Sequence, residues 1–206
     1  MCPVIGSQLR PVVGRVVDPL VNRLLRWGVT PDAVTATGTL GVVAMALWFF
    51  PRGEFLLGAY LITFFVLTDT IDGALARKRG TTSSFGAWLD STCDRVADGA
   101  IFAGLALYFS DHRDGTMLAV TLFVLVSSAV VSYEKARAEG LGMTCNVGIA
   151  ERPERLILVL VATGFVGMGA PVELIDVALW LLAALSAVTV VQRLVEVHRQ
   201  AGLPTA

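Results

Sequence analysis

Charge is scarce in this chain. Charged residues make up 16% of its 206 residues, against about 25% in ordinary globular domains. Hydrophobic residues reach 55%, where roughly 45–50% is usual, and the mean hydropathy is +0.70. A disordered chain needs the opposite balance, and a water-soluble domain of this size could not hide so much apolar surface. Net charge is nearly absent too: 16 Lys and Arg against 17 Asp and Glu leave −1. With a pI near 6.1, the chain lacks the basic surplus of a nucleic-acid binder, whose domain pI usually exceeds about 9. Cysteine is sparse and scattered, so Cys2, Cys93 and Cys145 form neither a disulfide framework nor a CxxC zinc pair. The two histidines, His112 and His198, lie away from the acidic cluster described below, which argues against a histidine-based zinc site. No cleavable leader is expected, because the first long apolar run begins at residue 33 and four arginines precede it.

What is present is a series of apolar runs. Residues 33–50 and 116–133 are each 18 residues without a charge, residues 156–172 are 17 and residues 177–192 are 16. Residues 55–76 carry only Asp69 and Asp72, and residues 86–110 only Asp90, Asp94, Arg95 and Asp98. A bilayer-crossing helix needs about 20 residues. The pattern predicts an all-α integral membrane protein with six transmembrane helices, at about 32–50, 55–77, 86–110, 115–138, 153–170 and 172–196, forming one domain over residues 1–206. Asp18-Pro19 reads as a helix start and Gly28 as its stop, with Leu20, Val21, Leu24 and Leu25 on one stripe. A short interfacial helix over about 18–28 is the expectation. With both termini on one side, thirteen of the 16 basic residues fall at or near that side. The positive-inside rule then makes it the cytoplasm, in a multi-pass protein of the cell membrane.

The stretch that carries chemistry runs Asp69-Thr-Ile-Asp72-Gly73-Ala-Leu-Ala76-Arg77, then eight residues, then Gly86-Ala-Trp-Leu-Asp90-Ser-Thr-Cys-Asp94. Asp69 and Asp72 are i,i+3, and Asp90 and Asp94 are i,i+4, so each pair shares a helix face. The short connection makes the two helices antiparallel neighbours. At 1.5 Å per residue, Asp69 lies roughly 12 Å inward of Arg77 and Asp94 a similar distance inward of Gly86. Four carboxylates at one depth would repel strongly in a bilayer. Two hard divalent cations, Mg²⁺ or alternatively Mn²⁺, would resolve this and could clamp a phosphate or pyrophosphate. Gly73 and Ala76 keep the helix thin for a ligand, and Arg77 offers a guanidinium to phosphate. Asp98, with Arg95 three residues before it, reads as half of a structural ion pair, and Cys93 as packing filler.

The pattern D-x2-D-G-x2-A-R-x8-G-x3-D-x3-D resembles the signature of the CDP-alcohol phosphatidyltransferases, and every fixed position matches without a gap. The resemblance implies a homodimeric, metal-dependent membrane enzyme of phospholipid biosynthesis. It would move a phosphatidyl group from CDP-diacylglycerol to an alcohol and release CMP. It assigns metal binding to Asp69, Asp72, Asp90 and Asp94, with Asp94 also the general base. Contacts to the CDP-lipid would come from Thr30, Pro31, Asp32, Ala33, Asp69, Gly73, Ala76, Arg77 and Ser83.

A second cluster concerns the acceptor. Lys135, Arg137, Arg152, Arg155 and Arg193 gather at the inner ends of the last three spans, and Pro153 marks a helix N-terminus, where anions are favoured. Positive-inside topology alone would also put cations there. The strings Ser132-Tyr-Glu-Lys-Ala-Arg-Ala-Glu139, Glu151-Arg-Pro-Glu-Arg-Leu156 and Val191-Gln-Arg-Leu194 resemble the bacterial branch of the family whose acceptor is inositol 3-phosphate. The branch using glycerol 3-phosphate is the alternative. A carboxylate-lined cation channel or transporter would instead place its aspartates at mid-membrane or along a through-path.

The acidic cluster should fail as a unit. Asp69→Asn, Asp72→Asn and Asp90→Asn are each expected to abolish turnover in folded protein, and EDTA to do the same reversibly. Substantial turnover in any of the three would remove the shared-metal reading.

Overall fold

The computed structural model describes residues 23, 25–67, 73, 75, 78, 83–149 and 151–202. Among them are six labelled helices and no strand: α1 (Pro31–Phe49), α2 (Phe55–Val66), α3 (Ser84–Asp111), α4 (Gly115–Gly140), α5 (Arg152–Gly167) and α6 (Glu173–Ala201). A 3₁₀ turn over Phe50–Arg52 joins α1 to α2. Gly73, Leu75 and Lys78 are also helical. Residues 18–22 of the expected interfacial helix lie outside the described residues. Its end is seen: Arg23, Leu25 and Arg26 are helical, and Gly28 turns the chain at φ 74°.

Local chemistry sets the helix starts. Thr30 caps α1, its Oγ1 accepting the Ala33 N–H at 3.2 Å, with Pro31 at the first helical position. Ser83 caps α3 through the Gly86 N–H at 2.9 Å, and Asp114 caps α4 through the Met117 N–H at 2.9 Å. Each cap satisfies one of the backbone donors that a helix leaves open at its N-terminus. Two boundaries differ from the sequence expectation. α5 stops at Gly167 because Gly169, at φ 105°, turns the chain. α6 runs to Ala201, five residues past the expected 196, because no glycine or proline interrupts the charged turns before Gly202.

Three helices are long and apolar enough to cross a membrane by length and composition: Pro31–Arg52, Gly115–Gly140 and Glu173–Ala201. The other expected spans fall short of that description for separate reasons. α3 has the length, at 28 residues, but carries Asp90, Asp94, Arg95 and Asp98. α5 has 16 residues and the described part of α2 has 12.

Packing joins the six helices into a closed ring in the order α1, α3, α4, α6, α5, α2 and back to α1. Its core includes Val42, Ala46, Phe50, Ile62, Phe102 and Leu105, with Val124, Val159 and Leu179 from the later helices, all buried. Large apolar side chains such as Leu40, Tyr60, Phe64, Val126, Ile157 and Leu194 are exposed on the helices. An apolar outer face suits a lipid environment and would be a liability in water. Two glycines set the closest approaches to a neighbouring backbone among the described residues. A Cβ on Gly104 would sit 2.5 Å from the Ala46 carbonyl oxygen, and one on Gly167 would collide with the Leu56 backbone.

Gly104→Ala should therefore force α1 and α3 apart and cost about 1–3 kcal/mol, the usual range for overpacking. Gly99→Ala, five residues earlier with nothing within 4 Å of its added carbon, should leave the melting temperature in detergent unchanged or slightly raised. Equal melting temperatures for the two variants would contradict the packing described.

Candidate active site

α3 carries the described half of the acidic cluster. Asp90 is exposed and Asp94, one turn further in, is partly buried, which keeps both on one face as the i,i+4 spacing requires. Asp69, Asp72, Ala76 and Arg77 lie outside the described residues. Gly73 is helical and partly buried. Among the described residues no group of three or more His, Cys, Asp or Glu side chains forms a ready metal cage. The donors that α3 contributes are carboxylate oxygens, the hard ligands that Mg²⁺ and Mn²⁺ take.

The starts of α1 and α3 meet beside this face. Asp32 Oδ1 lies 3.5 Å from where a Cβ on Gly86 would be, and Ser83 Oγ lies 3.2 Å from the same point. A Cβ at 86 would press on the Ser83 cap and come into ordinary contact with Asp32, so glycine leaves room between the two helix starts. Thr30 and Ser83, expected to touch the CDP-lipid, prove to be the two helix caps. Their hydroxyl oxygens accept backbone N–H groups, and each hydroxyl hydrogen remains able to donate.

A cavity of about 280 Å³ opens next to Asp94. Its cations are Arg95, Lys135, Arg152, Arg155 and Arg193, and its acids are Glu139 and Glu151. Arg152 bridges the cavity to α3: Nη1 donates to Asp94 Oδ1 at 2.7 Å and Nε to Asp98 Oδ1 at 3.2 Å. Arg155 Nη2 lies 3.4 Å from Asp98 Oδ2. The Asp98–Arg95 pair read from the sequence exists, at 3.8 Å, but it is the longest of the Asp98 contacts. Those to α5 are shorter.

One member of the expected basic cluster falls elsewhere. Arg137 does not line this cavity. It lines an adjoining groove of about 430 Å³ with Tyr133, Glu134, Leu194 and His198, and Arg193 lines both. Helix geometry explains the difference. Ser132, Lys135, Ala136 and Glu139 form one face of α4 and line the cavity, while residues two apart on a helix point away from each other. Lys135 and Arg137 therefore leave α4 in different directions. The sequence reading in turn omitted Arg95, which lines the cavity from α3.

Arg193 has a second occupation. It is 2% exposed, its Nε donates to the Val147 carbonyl at 2.9 Å, its Nη1 donates to the Val131 carbonyl, and its Nη2 lies 3.8 Å from Glu151. Thr189 Oγ1 accepts the Ile149 N–H at 3.2 Å, and Gln200 holds both the N–H and carbonyl of Thr144, at 3.0 and 2.6 Å. Residues 144–149 are thus strapped along α6. Gly148, at φ 137°, lets the strap lie against Thr189 and Arg193. Cys145, within the strap, is buried, and burial pushes its thiol pKa up, which suits a packing role.

The sequence profile of the CDP-alcohol phosphatidyltransferases matches residues 28–192. The chain belongs to the CDP-alcohol phosphatidyltransferase family, and is an enzyme of that class. Among its relatives, the phosphatidylinositol phosphate synthase of Streptomyces avermitilis is 49% identical, covering 97% of this chain and 87% of that one. The phosphatidylinositol phosphate synthase of Mycobacterium tuberculosis is 48% identical, covering 94% and 90%. The crystal structure of the M. tuberculosis synthase with CDP-DAG bound superimposes with a TM-score of 0.86 at 48% identity, over 89% of this chain and 94% of that one. The same synthase in complex with manganese and citrate gives a TM-score of 0.85 at 48% identity, over 88% of each chain.

Arg193→Gln should release the strap. Loss of a charge-assisted hydrogen bond costs about 1.5–3 kcal/mol, so the melting temperature should fall and amide exchange at residues 144–149 should accelerate. Unchanged exchange there would show that Arg193 serves the cavity alone.

Proposed function

We propose that this chain is a phosphatidylinositol phosphate synthase, transferring the phosphatidyl group of CDP-diacylglycerol to inositol 3-phosphate with release of CMP. The observation that carries the acceptor choice is the cation-lined cavity beside Asp94. Its volume, about 280 Å³, is at the small end of the roughly 300–1,000 Å³ of ligand pockets, which suits a small polar acceptor and not a second lipid. Arg95, Lys135, Arg152, Arg155 and Arg193 would meet a phosphate that a free alcohol does not have. The relatives that bear the synthase name cover nearly the whole chain, which supports the same reading.

The manganese-bound relative supports a divalent metal requirement. We assign two Mg²⁺, replaceable by Mn²⁺, to Asp69, Asp72, Asp90 and Asp94. Such ions supply charge stabilisation for the pyrophosphate during in-line displacement. The segment Thr30-Pro31-Asp32-Ala33, with Gly73, Ala76, Arg77 and Ser83, would receive the nucleotide end of the CDP-lipid. Asp94 takes the proton from the acceptor hydroxyl. The freed oxygen forms its bond to the lipid-side phosphorus as the bond to the CMP phosphate breaks.

The wider architecture follows the same reading. Residues 1–206 form one domain with six spans and an interfacial helix over 18–28. Both termini and the active end face the cytoplasm, as the distribution of Lys and Arg favours. The enzyme is a homodimer of the cell membrane, as in the family it belongs to.

Purified protein given CDP-diacylglycerol should release CMP with inositol 3-phosphate and far less with glycerol 3-phosphate. Arg152→Ala should raise the KM for the acceptor roughly 10- to 150-fold, the equivalent of about 1.5–3 kcal/mol. Arg137→Ala should leave it almost unchanged. Preference for glycerol 3-phosphate, or equal effects of the two substitutions, would overturn the acceptor assignment.

A further inference from the structure

Arg95, Arg152 and Arg155 reach the acceptor cavity from α3 and α5, which are not neighbours in the ring. One side chain meets all three. Asp98 contacts Arg152 Nε at 3.2 Å, Arg155 Nη2 at 3.4 Å and Arg95 Nη2 at 3.8 Å. It is 5% exposed and sits one turn beyond Asp94, outside the cavity lining. It is placed to act through the arginines and not on a ligand.

Three guanidiniums so close together repel, and of the two on α5 Arg155 is buried while Arg152 is partly buried. Asp94 pairs with Arg152 and Arg95, at 2.7 and 3.6 Å. Asp98 behind it adds Arg155 to the set, which offsets that repulsion and orients the planar forks. Each guanidinium has five N–H donors, so holding Asp98 does not exhaust it. Arg95 adds a further observation: its Nε is buried and has no hydrogen-bond partner among the described residues, although the side chain lines the cavity. A buried donor of this kind costs stability until something accepts from it.

We propose that Asp98 is the positioning residue of the acceptor site, aligning Arg95, Arg152 and Arg155 into one phosphate-binding wall, and that Arg95 is itself a phosphate ligand of that wall. The inference rests on the proposed function for the identity of the acceptor, but not for the anion site itself. The alternative role for Asp98 is a plain counter-charge, and the two roles differ in sign. Removing a mere counter-charge raises the local positive potential and tightens phosphate binding. Removing a positioning group lets the forks splay and weakens it.

The experiment uses the full chain in lipid nanodiscs with inorganic phosphate as the probe, followed by steady-state kinetics with inositol 3-phosphate and CDP-diacylglycerol. Asp98→Asn should weaken phosphate binding and raise the acceptor KM, each about tenfold or more, while the KM for CDP-diacylglycerol hardly moves. Asp98→Glu keeps the charge and should recover part of the loss. Arg95→Gln alters a side chain that is 36% exposed, so the fold does not depend on it, and it should weaken phosphate binding by about tenfold. Unchanged or tighter phosphate binding in folded Asp98→Asn overturns the positioning role, as does an equal rise in both KM values. If Asp98→Asn does not fold, unaltered phosphate affinity in Arg95→Gln overturns the wall. Wild-type protein that binds phosphate but ignores inositol 3-phosphate would refute the proposed function instead, and the phosphate affinities would still decide the role of Asp98.

Discussion

An ionised group inside an apolar bundle must meet an opposite charge or a polar ligand, because the cost of leaving it unpaired is several kcal/mol. In this protein that constraint acts on α3, where the partly buried Asp94 and Arg95 and the buried Asp98 lie on a largely apolar 28-residue helix. Asp98 finds its partners on α5, through long arginine side chains that cross between helices not adjacent in the ring. The same arginines form a wall of the cavity. Pairing and site construction are therefore one arrangement, and a change that relaxes the first disturbs the second.

The apolar packing serves that arrangement by bringing the helix starts together. Gly104 against Ala46 draws α3 onto α1, and Gly167 against Leu56 draws α5 onto α2. Small residues at helix crossings are the usual device where lipid gives helices little hydrophobic reason to associate. With the helices fixed in this way, the N-termini of α1 and α3 share a cleft at Asp32 and Gly86. The strap of residues 144–149 closes the neighbouring side by hydrogen bonds to Thr189, Arg193 and Gln200. The active end is thus made of capped helix starts and one pinned loop, while the opposite end consists of short turns.

The sequence by itself determined the helical class, the family and the spacing of the aspartates, because these depend on local periodicity and on fixed residues along one stretch of chain. The starts of α1 and α3 were legible for the same reason: Thr30-Pro31 and Ser83 are local signals that packing did not override. The end of α6 was not, since charged turns are compatible with either a helix or a loop until a neighbour decides. Membership of the basic cluster was decided only by the tertiary structure. Linear proximity grouped Arg137 with Lys135, but helix rotation sends it to another groove. Linear proximity also paired Arg95 with Asp98 and so hid that both belong to a cluster with α5. Which cations share an anion depends on the rotation of each helix about its own axis and on its neighbours in the ring. Neither quantity is written in the spacing of residues along the chain.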